Sequence, residues 1–215
     1  MNWLERPSNL ISATELDTLA QRLVEQYSPD SSKNPVAFNI EGFMKDFLGL
    51  NLEFRWLNYR GEVLGLTLFK DGYINVHDEE NHIDAIIPFK AGTVVIDKAL
   101  KSDEPRLRFT CAHESAHWLL HKDYFLANKP SYTTSALMEQ QANFMASAIL
   151  MPLPALRTAF KDFFIYFDER PRRIIRSSGN QDDLFAALLP DYISQIFKVS
   201  KQAALIRLEK LTAIV

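Results

Sequence analysis

The sequence predicts an α+β fold in which a small mixed or antiparallel sheet packs with helices and is followed by a helical C-terminal segment. Two observations support this prediction. Apolar residues recur at helical spacing towards both ends of the chain, whereas the period changes to two between about residues 51 and 97. Apolar residues make up 47% of the 215 residues and charged residues 24%, which is typical of a protein with a buried core and excludes a disordered chain or a coiled coil.

The first part of the chain is predicted to be helical. Ser12 and Glu15 form a capping box, and leucines follow them at helical spacing, which predicts a helix over about residues 12–27. Pro29 ends this helix. A second, short helix is predicted to begin near Asn39.

The middle of the chain is predicted to supply the sheet. Apolar and charged side chains alternate over residues 52–56, and residues 63–69 are rich in β-forming residues up to the turn at Asp71-Gly72. Residues 85–88 and 93–97 are predicted to form further short strands. The strands are few and short, so the predicted sheet is small.

Two long helices are predicted after the strands. The first runs over about residues 102–122, with Asp103 as its N-cap. The second covers about residues 136–150 and is stopped by Pro152. Further helices are predicted beyond residue 155, with breaks at Pro171, Gly179 and Pro190.

The composition of the chain indicates the cellular compartment in which the protein works. The longest near-apolar run, residues 144–156, is interrupted by Pro152 and Pro154 and is too short to cross about 30 Å of hydrocarbon, so no membrane helix is expected. The first eleven residues do not show the pattern of a secretory signal. The single cysteine, Cys111, excludes an internal disulfide and is in keeping with a reducing compartment. We therefore expect a cytoplasmic protein.

One motif carries chemistry. His113-Glu114-Ser115-Ala116-His117 matches the pattern H-E-x-x-H and lies within the predicted helix 102–122. Residues four positions apart share a helix face, so both imidazoles can bind a single Zn²⁺. Glu114 then lies beside the metal, where it can take a proton from a zinc-bound water and pass it to a leaving amine. The motif indicates a zinc site with Glu114 as its general base.

Two histidines leave a third protein ligand to be identified. His121 continues the same spacing, but it lies about 12 Å along the helix from His113, and zinc–nitrogen bonds of about 2.1 Å cannot be made from both ends of that span. His121 is therefore predicted to support the site or the fold without binding the metal. Glu139 in the next helix is the better ligand. Asn143, one turn later on the same face, is placed to orient a ligating imidazole by a hydrogen bond.

Two segments resemble a known family. Residues 108–121 (RFTCAHESAHWLLH) and residues 139–152 (EQQANFMASAILMP) together resemble the ImmA/IrrE family of metallopeptidases. The resemblance extends more weakly over about residues 36–211. Two departures are visible: Ser115-Ala116 replaces the usual Leu-Gly pair, and residues 156–195 do not align with the family.

The resemblance implies a zincin-like catalytic core that binds one zinc ion per chain. It implies that His113, His117 and Glu139 are the ligands and that Glu114 is the general base. Family members are associated with regulated cleavage of repressor proteins, so the resemblance implies a zinc-dependent endopeptidase whose substrate is a repressor or a similar regulator. The scissile bond, the activating signal and the oligomeric state are left open.

The resemblance and the order of elements together predict three parts. They are an N-terminal helix, a zincin-like metallopeptidase domain and a helical C-terminal segment, over residues 1–35, 36–155 and 156–215. The last part is net basic, whereas the rest of the chain is net acidic. This asymmetry indicates a separate role for the tail.

A peptidase of this type would bind an extended peptide by strand addition at a sheet edge. The strand that directly precedes the active helix is the candidate edge, and its residues are Val94, Val95, Ile96 and Asp97. The alternative, that this is an ordinary interior strand, stays open.

Two other classes of function also stay open. Residues 199–211 resemble the second helix of a helix-turn-helix, with Lys201, Gln202 and Arg207 on the face that would meet DNA. This is a modest basic set and the net charge is −3, so direct binding of nucleic acid is not expected. The other class is a protein-interaction module with a structural zinc site, although structural sites usually have four protein ligands rich in cysteine.

Two further groups of metal-binding side chains are weighed and set aside. His77 and His82 flank the acidic residues 78–80 and could hold a second metal, but a solvated loop is the simpler interpretation. Cys111 lies two residues before His113, about 200° round the helix, and is predicted to be a small buried residue that faces away from the metal.

Overall fold

The computed structural model describes residues 11–57, 63–78, 83–127, 136–172, 174 and 181–211, and it confirms the predicted α+β architecture. The helices are α1 (Ala13–Tyr27), α2 (Pro29–Lys33), α3 (Ile40–Gly42, continuing as a π-helical turn over Phe43–Phe47), α4 (Glu104–Ala127), α5 (Ala136–Leu150), α6 (Leu153–Tyr166), α7 (Gln181–Phe197) and α8 (Lys201–Lys210). The strands are β1 (Asn51–Arg55), β2 (Gly65–Thr67), β3 (Gly72–Asp78), β4 (Ile83–Phe89) and β5 (Thr93–Asp97). In the part of the chain described, we find no helix with both the length and the apolar character needed to cross a membrane.

The chain divides into two compact units. The first consists of Met1–Thr18 and Asn39–Ala146, and the second of Leu19–Phe38 and Ser147–Val215, so the boundaries run through α1 and α5. All five strands and helix α4 belong to the first unit. The three domains expected from the sequence stay a prediction, because compactness does not test which parts fold independently.

Helix α1 follows the capping box predicted for it. The backbone N–H and the hydroxyl of Ser12 each donate to Glu15 Oε2 at 2.9 Å, and the N–H of Glu15 donates to Ser12 Oγ at 3.2 Å. The two side chains thus satisfy donors that the first helical turn would otherwise leave open. The predicted start of this helix is confirmed because its signal is local.

Strand β5 occupies the middle of a three-stranded sheet with the order β1-β5-β2. It pairs in parallel with β1 and antiparallel with β2. The prediction that residues 94–97 form a substrate-binding edge is therefore wrong, since backbone partners occupy both sides of the strand. The carboxylate of Asp97 is also engaged, because it accepts the N–H of Leu57 at 3.0 Å and that of Ala99 at 2.9 Å. The edges of this sheet are β1 and β2.

Strands β3 and β4 form an antiparallel hairpin. The sequence indicated β4 but not β3, because Gly72 was assigned to a turn and it begins the strand instead. One face of the hairpin is buried: Val76 and Phe89 pack with Leu57 and Val95 in a hydrophobic cluster. Burial against β5 thus stabilises a strand whose local signal is weak.

Helix α4 carries the H-E-x-x-H motif and begins after Asp103, whose Oδ1 accepts the N–H of Arg106 at 3.2 Å. This confirms the predicted N-cap. The helix ends at Ala127, five residues beyond the predicted end. Phe125 in this extension stacks on Phe69 with ring centroids 4.4 Å apart, so tertiary packing continues the helix past its local signal.

The second unit contains helices α6, α7 and α8, with one element running through a predicted break. Helix α7 continues past Pro190, so the break expected there is wrong. Phe185, Leu189, Ile193 and Phe197 lie four positions apart along it and are fully buried. Burial of this stripe outweighs the roughly 3 kcal/mol that an internal proline costs a helix.

Arg207 was expected on the DNA-facing side of the helix-turn-helix alternative, and the structure places it in the core. Its side chain is fully buried within the second unit, and Nη2 donates to the carbonyl oxygen of Met151 at 3.3 Å. Lys201 is paired with Asp191 at 2.7 Å. Arg207, one of the two basic residues on which the DNA-binding alternative depended, is therefore not available to contact a groove.

Candidate metal centre

Helix α4 brings the three side chains of its motif to one region. His113 and His117 lie four residues apart, and their Nε2 atoms are 2.9 Å from each other. His117 is 4% exposed and Glu114 7%, so this part of the helix is screened from water. The α-helical period alone produces this arrangement.

The third side chain comes from α5. Glu139 Oε2 lies 3.2 Å from His113 Nε2, and Oε1 lies 3.4 Å from His117 Nε2. Ligand atoms bound at about 2.0–2.1 Å to one tetrahedral Zn²⁺ lie about 3.3 Å apart, so the spacing of these three groups fits a single metal ion. In the described part of the chain this is the one group of histidine, cysteine and acidic side chains arranged to hold a metal.

A polar partner supports each imidazole from behind. Asn143, one turn after Glu139 on α5, places Oδ1 3.0 Å from His113 Nδ1. His121 places its Nδ1 3.0 Å from His117 Nδ1 and lies outside the three-residue group. On its other side, His121 Nε2 lies 3.2 Å from Gln141 Oε1.

Two imidazoles of this region, those of His117 and His121, are held neutral. The pKa of His117 is lowered to about 4, mainly because its imidazole is buried and to a smaller extent because His113 lies nearby. Burial also lowers the pKa of His121 below its ordinary value. A neutral imidazole keeps a lone pair on one nitrogen, which is the form that binds a metal.

We call His113, His117 and Glu139 the metal group. Glu114 faces the sheet beside it. Its Oε2 accepts a hydrogen bond from the Thr67 hydroxyl of β2 at 2.7 Å, and its side chain is buried. Burial raises the pKa of Glu114 above its usual value, while the nearby His113 and the bond from Thr67 act in the opposite direction. A raised pKa makes this carboxyl group a stronger base, which suits a residue that must accept a proton and later release it.

Helix α4 approaches β2 closely at Gly65. A Cβ atom built there would lie 2.8 Å from Thr110 Cγ2, 2.9 Å from Glu114 Cγ and 3.0 Å from Glu114 Oε1. Thr110 is β-branched and held in a helix, so it cannot easily move away. The absence of a side chain at position 65 is what allows Glu114 to reach the strand.

Gly65→Ala is therefore expected to displace Glu114 and to lower the free energy of unfolding by about 1–3 kcal/mol, the usual cost of overpacking. Gly72→Ala is the matched control, because a Cβ there would meet its nearest atom at 3.8 Å, an ordinary contact. Thermal or urea unfolding of both variants measures the difference. Equal stabilities would contradict the close approach of α4 to β2.

The metal group opens onto a cleft in the first unit. The cleft has a volume of about 780 Å³ and is lined by β2 and the start of β3 on one side and by α4 and α5 on the other. His113, Glu114, His117 and Glu139 all contribute to its wall. The possible ligands and the possible base thus share one cavity that is large enough for part of an extended peptide.

Three residues of this region were missed from the sequence. Thr67, Gly65 and Gln141 belong to elements whose spacing relative to α4 is not encoded locally. No local pattern tied any of the three to the motif, although Gln141 lies between Glu139 and Asn143, which the sequence did assign to the site.

The groups that were set aside lie elsewhere or are buried. His77 lies in β3, and its Nδ1 is 3.2 Å from Asp84 Oδ1; residues 79–82, which include His82, fall outside the described residues. Cys111 is fully buried, and burial raises the pKa of its thiol to about 12. A thiol with such a pKa is not a thiolate ligand at neutral pH.

Comparison with known proteins identifies one family. A family model described as the IrrE N-terminal-like domain, of the M78 peptidases, matches residues 66–209, which is more than half of the chain. The matched region contains α4, α5 and the whole metal group. None of the curated proteins compared with the chain matches it.

Proposed function

The chain belongs to the family of ImmA/IrrE metallopeptidases with an IrrE N-terminal-like domain, and on this premise we propose that it is a zinc-dependent endopeptidase of the cytoplasm. We propose further that its substrate is a protein, in particular a transcriptional repressor or a similar regulator. The buried, single cysteine supports a reducing compartment. The family resemblance supports the substrate class.

One observation carries the proposal: three ligands converge beside a buried carboxyl group that is not one of them. His113, His117 and Glu139 are a donor set that suits Zn²⁺, and three protein ligands are typical of catalytic zinc, whereas structural zinc usually has four. Zinc bound there would supply Lewis-acid polarisation of the scissile carbonyl. The three-ligand set and the neighbouring Glu114 favour catalysis over a structural role.

Glu114 is proposed as the general base and acid. Its carboxylate takes a proton from the attacking water as the oxygen bonds to the carbonyl carbon, and the same carboxyl group then gives the proton to the leaving amine. Thr67 holds Oε2 by a hydrogen bond of 2.7 Å, so the orientation of the carboxyl group is set before the substrate binds. Burial raises its pKa, which favours the protonated form that the second half of the reaction requires.

Strand β2 is proposed as the substrate-binding edge. Leu64 accepts the N–H of Asp97 and Leu68 donates to the carbonyl of Thr93, both at 2.9 Å, so these residues direct their peptide groups towards β5. Peptide groups alternate in direction along a strand, and those of Gly65 and Thr67 therefore point to the other side. An extended substrate can pair there and lie next to Glu114.

Metal content and cleavage test the proposal together. The purified protein is expected to hold about one zinc ion per chain by elemental analysis. Incubated with the regulators encoded beside its gene, it should shorten one of them, and a chelator should stop the reaction until zinc is restored. His77→Gln should behave as the parent, since His77 lies in β3 away from the metal group. A protein without zinc, or cleavage that a chelator leaves unchanged, would refute the assignment.

A further inference from the structure

Three buried polar side chains, beginning with the ligand His117, are connected in a row by hydrogen bonds. His117 Nδ1 lies 3.0 Å from His121 Nδ1, and His121 Nε2 lies 3.2 Å from Gln141 Oε1. His121 is fully buried, and His117 and Gln141 are each 4% exposed. Water is therefore excluded, and these buried groups form hydrogen bonds with one another.

Gln141, the last of these three side chains, determines the direction of both hydrogen bonds. An amide oxygen only accepts hydrogen bonds. His121 Nε2 therefore carries a hydrogen and donates a hydrogen bond to Gln141 Oε1. A neutral imidazole has one N–H, which leaves His121 Nδ1 as an acceptor. His117 Nδ1 must then donate to it, and the lone pair of His117 is left on Nε2, the atom that faces Glu139 and His113.

We propose that Gln141 is a positioning residue of the metal site, which acts through His121 to hold His117 in the tautomer that binds metal through Nε2. The inference rests on the proposed function, because it assigns a role to Gln141 in the same site. His121 thereby has a role without binding the metal. Its two ring nitrogens connect the Gln141 amide on α5 to the ligand His117 on α4, so the orientation of the amide sets the tautomer of His117.

The reverse arrangement shows why the amide matters. If Gln141 presented its NH₂ group, His121 Nε2 would accept, His121 Nδ1 would donate, and His117 would carry its proton on Nε2. That proton would point at the position where the metal binds. Both arrangements keep the two hydrogen bonds between these side chains, so the orientation of the Gln141 amide selects between a form of His117 that is ready for metal and one that is not.

His113 is oriented by a shorter route. Asn143 Oδ1 accepts directly from His113 Nδ1 at 3.0 Å, which leaves the lone pair of His113 on Nε2. Asn143 and Gln141 both belong to α5, the helix that also supplies Glu139. One helix therefore contributes a ligand and the acceptors that orient the two ligands of the other helix.

The first measurement is the tautomer of His117 in the metal-free parent. Long-range ¹H–¹⁵N spectra of protein labelled at histidine distinguish a proton on Nδ1 from one on Nε2, at a pH of about 8 where the imidazoles are neutral. We expect a proton on Nδ1 of His117 and on Nε2 of His121. A proton on Nε2 of His117 would overturn the proposal without any variant.

The second measurement removes the acceptor. Gln141→Met keeps the length of the side chain but removes the amide oxygen that accepts the hydrogen bond from His121, so both tautomers of His117 should become populated. Zinc affinity, measured by competition with a chelating dye, should fall about 10-fold or more, as is usual when the support of a ligand is lost. Gln140→Met is the matched control on the exposed side of α5 and should match the parent in both readings.

The outcomes separate the two proposals. A parent that binds no zinc refutes the proposed function, whereas a parent that binds zinc alongside a Gln141→Met variant with unchanged affinity overturns only the role of Gln141. Weaker zinc binding with unchanged tautomers would also overturn it, because the loss would then come from packing. If Gln141→Met does not fold, the spectrum of the parent decides alone.

Discussion

Glu114→Gln is expected to reduce cleavage of a substrate by at least about 10²- to 10⁴-fold while the protein keeps its zinc. General acid–base assistance is commonly worth that factor, and here one carboxyl group would serve both halves of the reaction. Glutamine has the same shape, and its amide can still accept the hydrogen bond from Thr67. It cannot take up a proton from the attacking water, so the proton transfer is lost and the fold is kept.

Co-expression of the parent or the variant with a candidate regulator measures this difference. Only the parent should produce a shortened regulator, and zinc content is measured on the same samples, because a lost metal would imitate a lost base. Glu104→Gln, an exposed position at the start of the same helix, is the control and should cleave like the parent. If the parent and Glu114→Gln both only displace an intact regulator, the protein is a zinc-stabilised binder and the peptidase assignment fails.

Glu139→Ala is expected to weaken zinc binding far more than His121→Ala. Glu139 places Oε2 3.2 Å from His113 Nε2 and Oε1 3.4 Å from His117 Nε2, so its removal deletes a ligand. His121 lies behind His117, and its removal should cost about the 10- to 100-fold that is typical of a residue supporting a ligand. Competition with a chelating dye at fixed pH compares the two variants directly.

Gln140→Ala is the control for this comparison, since it changes an exposed neighbour of Glu139 on α5. Its zinc affinity should equal that of the parent. The opposite ranking, with His121→Ala the weaker binder, would mean that helix α4 breaks after His117 in solution and brings His121 to the metal. It would contradict both the 12 Å span expected of a continuous helix and the observed course of α4 to Ala127.

Features with a local cause could be predicted. The capping box at Ser12 and Glu15, the N-cap at Asp103 and the helix over residues 136–150 depend on neighbours within about four positions, and the structure contains all three. The convergence of His113 and His117 has the same origin, because the helical period alone places residues four apart on one face.

Features that depend on packing between distant elements could not be predicted from the sequence. Strand β5 lies in the middle of its sheet rather than at an edge, and α7 continues through Pro190, because pairing and burial outweigh local preferences. The hydrogen bond from Thr67 to Glu114 joins residues 47 positions apart, and the bond from His121 to Gln141 joins residues 20 apart.

The sequence therefore determined which atoms could act as ligands and as a base, since those follow from residue type and helical spacing. Tertiary structure decided how these atoms are held: Gly65 allows β2 to approach Glu114, and Gln141 faces His121 from another helix. The physical reason is range. Helical geometry acts over a few residues, whereas the orientation of a buried polar group depends on whichever partner the fold brings within hydrogen-bond distance, and no local pattern encodes that partner.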